Sequence, residues 1–137
     1  MKLNKPKPTS PHLQIYRWNI SSLTSIMHRF TGVALYIALI IIAWGVFYYT
    51  YNTNQQSAAI HCDCFLTKLI YIVFCGAIIS ASFCLYYHFC NGIRHLFWDV
   101  GKGFKLKTAK NTGYLVILLA LFLTILTVSI AVYLKFF

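Results

Sequence analysis

The most constraining feature of this sequence is where charge is missing. No Asp, Glu, Lys or Arg occurs in residues 30–62, 69–93 or 111–134, runs of 33, 25 and 24 residues. A helix that crosses a bilayer needs about 20 mostly apolar residues, so each run is long enough for one crossing. Inside hydrocarbon a segment must satisfy its own backbone hydrogen bonds, which a continuous run does as a helix. An outer-membrane barrel would instead show short alternating strands. The first run is cut short by the polar stretch at 52–57, which reads as a loop. The pattern predicts an all-α membrane protein with three transmembrane helices, at about 22–51, 65–95 and 112–134. Residues 1–137 then form one membrane domain, with 1–21 as an N-terminal segment on the inner side.

Composition narrows the chemistry. Only 10% of the residues are charged, against about 25% in a soluble chain, which excludes a soluble enzyme and a disordered tail. The two acids, Asp63 and Asp99, are too few for paired-carboxylate hydrolysis or a carboxylate metal site. No phosphate-binding or dinucleotide glycine motif is present. Cys75, Cys84 and Cys90 fall within the second apolar run and act as small apolar fillers. Cys62 and Cys64 flank Asp63 and are too few for a zinc site. The odd total of five cysteines does not complete a disulfide framework.

The basic residues set the orientation. Lys2, Lys5, Lys7, Arg17 and Arg29 precede the first run, and only Lys68 lies in the first connection. Arg94, Lys102, Lys105, Lys107 and Lys110 lie in the second, and Lys135 follows the third. By the positive-inside rule the N-terminus and the second connection face the cytoplasm or matrix. The net charge of +10 therefore matches anionic membrane lipid rather than nucleic acid, for which no basic soluble domain remains. The polar leader has neither a signal-peptide cleavage site nor the pattern of a transit peptide. A bacterial inner membrane is the expected location, with the mitochondrial inner membrane as the alternative.

Polar and ionisable residues within apolar runs are costly and mark function, and here they form two clusters. In the first, Ser21 or Ser22 is the expected N-cap. Ser25, His28, Arg29 and Gly32 follow at i, i+3, i+4 and i+7, on one helical face. That face suits a carboxylate, a carbonyl or a polar headgroup, and it equally suits an interfacial anchor. In the second, Gly76, Ser80, Cys84 and His88 recur every fourth residue, with Asn91 and His95 extending the stripe. Such spacing admits another helix or a flat ligand. His88 lies about two turns inside the run and suits a haem iron, or it is a hydrogen-bonded packing histidine. His95 is seven residues on, about 10 Å along the axis, so the two cannot share one iron. A second ligand from this chain would have to be His28 or His12. Asp99 is expected to pair with Arg94 or Arg29, or to relay protons.

These clusters carry a family resemblance. Ser25-Ile-Met-His-Arg-Phe-Thr-Gly32 resembles the Ser-x-x-His-Arg-x-Ser/Thr-Gly motif of the succinate dehydrogenase cytochrome b556 family. His88-Phe-Cys-Asn-Gly-Ile-Arg-His-Leu-Phe-Trp-Asp-Val-Gly101 resembles its His-x-x-x-Gly-x-Arg-His-x-x-x-Asp-x-Gly motif. The leader Lys7-Pro-Thr-Ser-Pro-His-Leu-Gln-Ile-Tyr16 is similar to a third, with lysine at 7 where arginine is usual.

The resemblance implies a hydrophobic membrane anchor of complex II in a heteromeric helix bundle, not an enzyme on its own. Its partners would be a flavoprotein subunit, an iron-sulfur subunit and a second hydrophobic anchor. It implies haem b with His88 as axial ligand, the other ligand coming from the sister anchor. It places His28 and Arg29 at the haem propionates, Ser25 and Arg29 at ubiquinone, and Asp99 in a proton and hydrogen-bond network near the quinone. The alternatives are a haem-free anchor that only docks soluble subunits, and a small proton-coupled transporter subunit.

Overall fold

The computed structural model describes residues 17–52 and 65–136. The leader motif with His12, the 52–57 loop beyond Asn52, and Cys62, Asp63 and Cys64 lie outside the described residues. Three helices follow in order: α1 (Ile20–Asn52), α2 (Phe65–Asp99) and α3 (Leu106–Phe136). Each is long and apolar enough to cross a membrane. At 1.5 Å per residue they measure about 46–53 Å, against a hydrocarbon core of about 30 Å, so their ends project beyond the apolar layer.

Those projections account for the differences from the expected limits. Helix α3 starts at Leu106 rather than near 112, because Leu, Lys and Ala at 106–110 are good helix formers despite their charge. Helix α2 continues four residues past His95 to Asp99. At the start of α1 the first intrahelical bond runs from the Leu23 amide to the Asn19 carbonyl, 3.0 Å. The cap position is therefore Asn19, itself a favoured N-cap residue, and Ser21 and Ser22 lie in the first turn.

The α2–α3 turn is set by glycine. The Lys102 amide donates to the Phe97 carbonyl (3.0 Å) and the Gly101 amide to the Trp98 carbonyl (2.8 Å), the paired bonds of a Schellman termination. Gly101 has φ 78°, the left-handed region that favours glycine. A Cβ there would meet no atom within 4 Å, so Gly101→Ala introduces backbone strain alone, about 1–2 kcal/mol. The expected result is a lower melting temperature of the detergent-solubilised protein, with Gly101→Asn losing less because asparagine tolerates this region.

Helix α2 packs against both neighbours, and α1 and α3 meet along a shorter seam. On α3 the packed face is Val116, Ala120 and Thr124, small residues that allow close helix approach. They meet Tyr87, with Phe83, Tyr86 and Cys90 alongside. Large apolar side chains such as Phe30, Trp44, Phe74 and Phe122 point outward, while Thr24, Asn91 and Arg94 are buried. This is the arrangement expected where the solvent is lipid. At the far end Lys135 donates to the Tyr71 hydroxyl, 3.3 Å, tying α3 back to α2.

Candidate functional site

Both motif clusters sit at the end of the bundle that carries the α2–α3 turn. The structure reorders the first one. Thr24 and Thr31, seven residues apart, are the buried positions of α1; Ser25, His28 and Gly32 are half-buried, and Arg29 is exposed. The face seen by α2 is therefore Thr24–His28–Thr31, with Ser25 and Gly32 on its flank and Arg29 turned outward.

His88 is held from α1. Its Nδ1 lies 3.2 Å from the His28 carbonyl oxygen and 3.3 Å from the Thr31 hydroxyl. The Thr31 hydroxyl lies in donating range of the Met27 and His28 carbonyls, 3.0 and 2.9 Å. A carbonyl oxygen only accepts, so this contact places a hydrogen on Nδ1, and in the neutral ring Nε2 then keeps its lone pair. This is the tautomer of a metal-binding histidine oriented by a carbonyl. Gly32 makes room for it: a Cβ at this position would approach His88 Cε1 to 3.1 Å.

His28 stacks on the face of His88, with centroids 3.9 Å apart and planes at 10°. Stacked in this way, the two rings lie side by side rather than facing each other across a shared position. His12 lies outside the described residues. His28 Nδ1 is enclosed and has no hydrogen-bond partner among the described residues. The rings continue to His95, 5.2 Å from His28, and on to Trp98, 5.1 Å from His95 and edge-on to it. Among the described residues no group of three or more His, Cys, Asp or Glu side chains could hold a metal ion.

Arg94 departs most from expectation. It is 5% exposed and ties all three helices together. Its Nη1 donates to Thr24 Oγ1 (2.7 Å) and Asn91 Oδ1 (3.3 Å), and its Nε to Thr112 Oγ1 (3.2 Å). Its Nη2 donates to the Ala109 carbonyl (2.9 Å) and Ser21 Oγ (3.4 Å). The guanidinium also lies 4.2 Å from the Trp98 ring centroid, a cation–π contact. With its donors spent on neutral acceptors it does not pair with Asp99, which corrects the expected ion pair. Asp99 is exposed as the last residue of α2. It makes no ion pair with a described residue, Arg29 included.

Thr24 is the second node of this network. Its carbonyl accepts from Tyr87 Oη (3.0 Å) and Asn91 Nδ2 (3.3 Å), and its hydroxyl donates to the Ser21 carbonyl (3.0 Å). Neither Thr24 nor Thr31 stands out in the sequence, because threonine is common in membrane helices. The signal that could have found them was their seven-residue spacing on either side of His28. The α2 stripe is divided as well. Gly76 and Ser80 are exposed, a Cβ on Gly76 would meet nothing within 4 Å, and Ser80 bonds only back to the Gly76 carbonyl at 2.8 Å. This half of the stripe does not pack against another helix among the described residues.

The site thus brings together an oriented imidazole, an enclosed ring nitrogen without a partner among the described residues and, next to it in the chain, an outward-facing guanidinium, at the end of the bundle that carries the α2–α3 turn. Residues 3–127 match the family described as succinate dehydrogenase/fumarate reductase transmembrane subunit. The chain belongs to that family. It is 43% identical over 120 residues to the succinate dehydrogenase cytochrome b556 subunit of Rickettsia felis, covering 88% of this chain and 89% of the relative. The cytochrome b556 subunit of Rickettsia bellii is 46% identical over the same coverage. The mitochondrial cytochrome b560 subunit of Sus scrofa is 35% identical, covering 85% of this chain and 67% of that protein. The two motifs around His28 and His88 lie inside the matched region, so the oriented histidine and the Arg94 clamp belong to the conformation of a complex II membrane subunit.

Proposed function

We propose that this chain is a haem- and quinone-binding membrane anchor of a succinate:quinone oxidoreductase. It would carry electrons from succinate oxidation to ubiquinone without oxidising succinate itself. The observation that supports this most directly is the carbonyl-held tautomer of His88. The Gly32 cradle around that ring and the unpaired Nδ1 of His28 fit the same group. Haem b, when bound, supplies reversible one-electron transfer.

The residues of this chain have separate tasks. His88 would offer Nε2 to the haem iron, and a histidine of a sister anchor would supply the second ligand. His28 and Arg29 would hold the propionate carboxylates. Ser25 donates a hydrogen bond to a quinone carbonyl, and Arg29, free of partners among the described residues, offsets the negative charge that develops on reduction. Asp99 carries its carboxylate at a helix C-terminus, where the helix dipole disfavours it. That placement suits a group kept for proton handling rather than for stability.

The remaining partners are a flavoprotein and an iron-sulfur subunit docked at the inner face, on the side of the start of α1 and the α2–α3 turn. Residues 1–137 act as one anchor domain in a bacterial inner membrane.

The test is purification through a tag on this chain, followed by a reduced-minus-oxidised spectrum and two assays. Co-purification of a flavoprotein, an iron-sulfur protein and a second small anchor, with a b-type band, is the expected result. Arg29→Leu should reduce quinone-dependent turnover by about 100-fold, the scale of one lost charge-stabilising donor, while succinate oxidation by a soluble dye persists. Ser25→Ala acts in the same direction and less strongly. Equal loss of both assays in Arg29→Leu would overturn the quinone assignment in favour of an assembly role.

A further inference from the structure

On the side of α2 away from the histidines, α2 and α3 enclose a groove of about 390 Å³, within the size range of about 300–1,000 Å³ that binds small molecules. It is distinct from the His28–His88 seam between α1 and α2. Its lining is almost wholly apolar, with Ile93, Phe97, Leu115 and Leu119 forming the floor, and Trp98, Lys102 and Thr108, closer in the chain to the α2–α3 turn, also border it. Arg94 also borders it, but its donors are already used within the bundle. The indole N–H of Trp98, the ammonium of Lys102 and the hydroxyl of Thr108 make no hydrogen bond to another described residue. Lys102 is not placed loosely: its amide is the second bond of the Schellman turn, so its side chain leaves from a fixed point at the rim. Lys105, Lys107 and Lys110 follow in the chain, and Asp99 is the only acid nearby in sequence.

This polarity selects an occupant. A helix from another protein laid along the floor and over the rim would desolvate the Lys102 ammonium, which costs free energy unless the helix brings a carboxylate. A phospholipid brings its own anion to the level where the lysine sits, and one acyl chain matches the floor. We propose that the α2–α3 groove is a binding site for one anionic phospholipid of the leaflet that contains the turn. One acyl chain lies on Phe97, Leu115 and Leu119, and the phosphate is held by Lys102 with Trp98 and Thr108 as hydrogen-bond donors.

The complex purified through this chain is reconstituted in mixed phosphatidylcholine and phosphatidylglycerol nanodiscs, released into detergent, and its retained lipids counted by native mass spectrometry. The wild-type protein should keep a phosphatidylglycerol. Lys102→Gln should bind it about fivefold more weakly, the scale of one basic residue at an anionic surface, with phosphatidylcholine retention unchanged. Lys102→Arg should keep it, and Leu119→Trp, which fills the floor without altering charge, should lose it. Equal phosphatidylglycerol retention in Lys102→Gln and Leu119→Trp would overturn the site. So would a disulfide or bifunctional cross-link from Leu115→Cys to another subunit, because a protein would then cover the groove.

Discussion

Arg94→Leu is expected to lower the stability of the solubilised subunit by about 3 kcal/mol, on the scale of about 1–3 kcal/mol for a buried neutral acceptor left without its donor. A second line of reasoning gives a similar size. Polar contacts between membrane helices average about 0.6 kcal/mol each, so five such bonds amount to about 3 kcal/mol. The loss would be cooperative, because one guanidinium serves Thr24 and Ser21 on α1, Asn91 on α2, and Thr112 and Ala109 on α3. Arg94→Lys keeps the charge but has three donors where arginine has five, and no planar fork. It should fall between the wild type and Arg94→Leu. Thermal melting in detergent reads this order directly. If Arg94→Leu melts with the wild type, the guanidinium does not hold the three helices together.

The second large effect is at His88. His88→Ala removes the one histidine among the described residues whose ring is oriented by an α1 carbonyl, and the b-type absorbance band should disappear from the purified complex. His95→Ala should leave the band in place, since His95 lies two turns away and contacts His28 and Trp98 instead. Gly32→Ala is a finer probe. Its new methyl would stand 3.1 Å from His88 Cε1, so the ring must give by a few tenths of an ångström. The expected outcome is a retained band with altered position or potential. An unchanged band in His88→Ala would remove the haem ligand assignment while leaving family membership intact.

The pairing of His88 with the His28 backbone also shows why a histidine motif alone is incomplete. The sequence places His28, His88 and His95 near one membrane surface but leaves open whether two of them ligate one iron. The near-parallel stacking of His28 on His88 sets the two rings side by side rather than opposed, and it follows from where α1 crosses α2. Asp99 is a similar case. Its separation from Arg94 by five residues allowed a surface ion pair, yet the guanidinium turns inward to five neutral acceptors and the carboxylate remains at the helix end.

The chain's sequence by itself determined the number of spans, their approximate limits and the clustering of polar residues at one end. Hydrocarbon excludes charge along the whole length of a crossing, so that information is one-dimensional and survives without coordinates. The family was legible for a related reason: its motifs are local, each within one helix end. Only the tertiary structure decided which side of each helix faces inward. In a membrane subunit, apolar residues cover the outside as well as the seams, so hydrophobic periodicity cannot mark the buried face. That face is chosen by where hydrogen-bonding groups on different helices find each other, here Arg94 with Thr24, Asn91 and Thr112, and His88 with the carbonyl of His28.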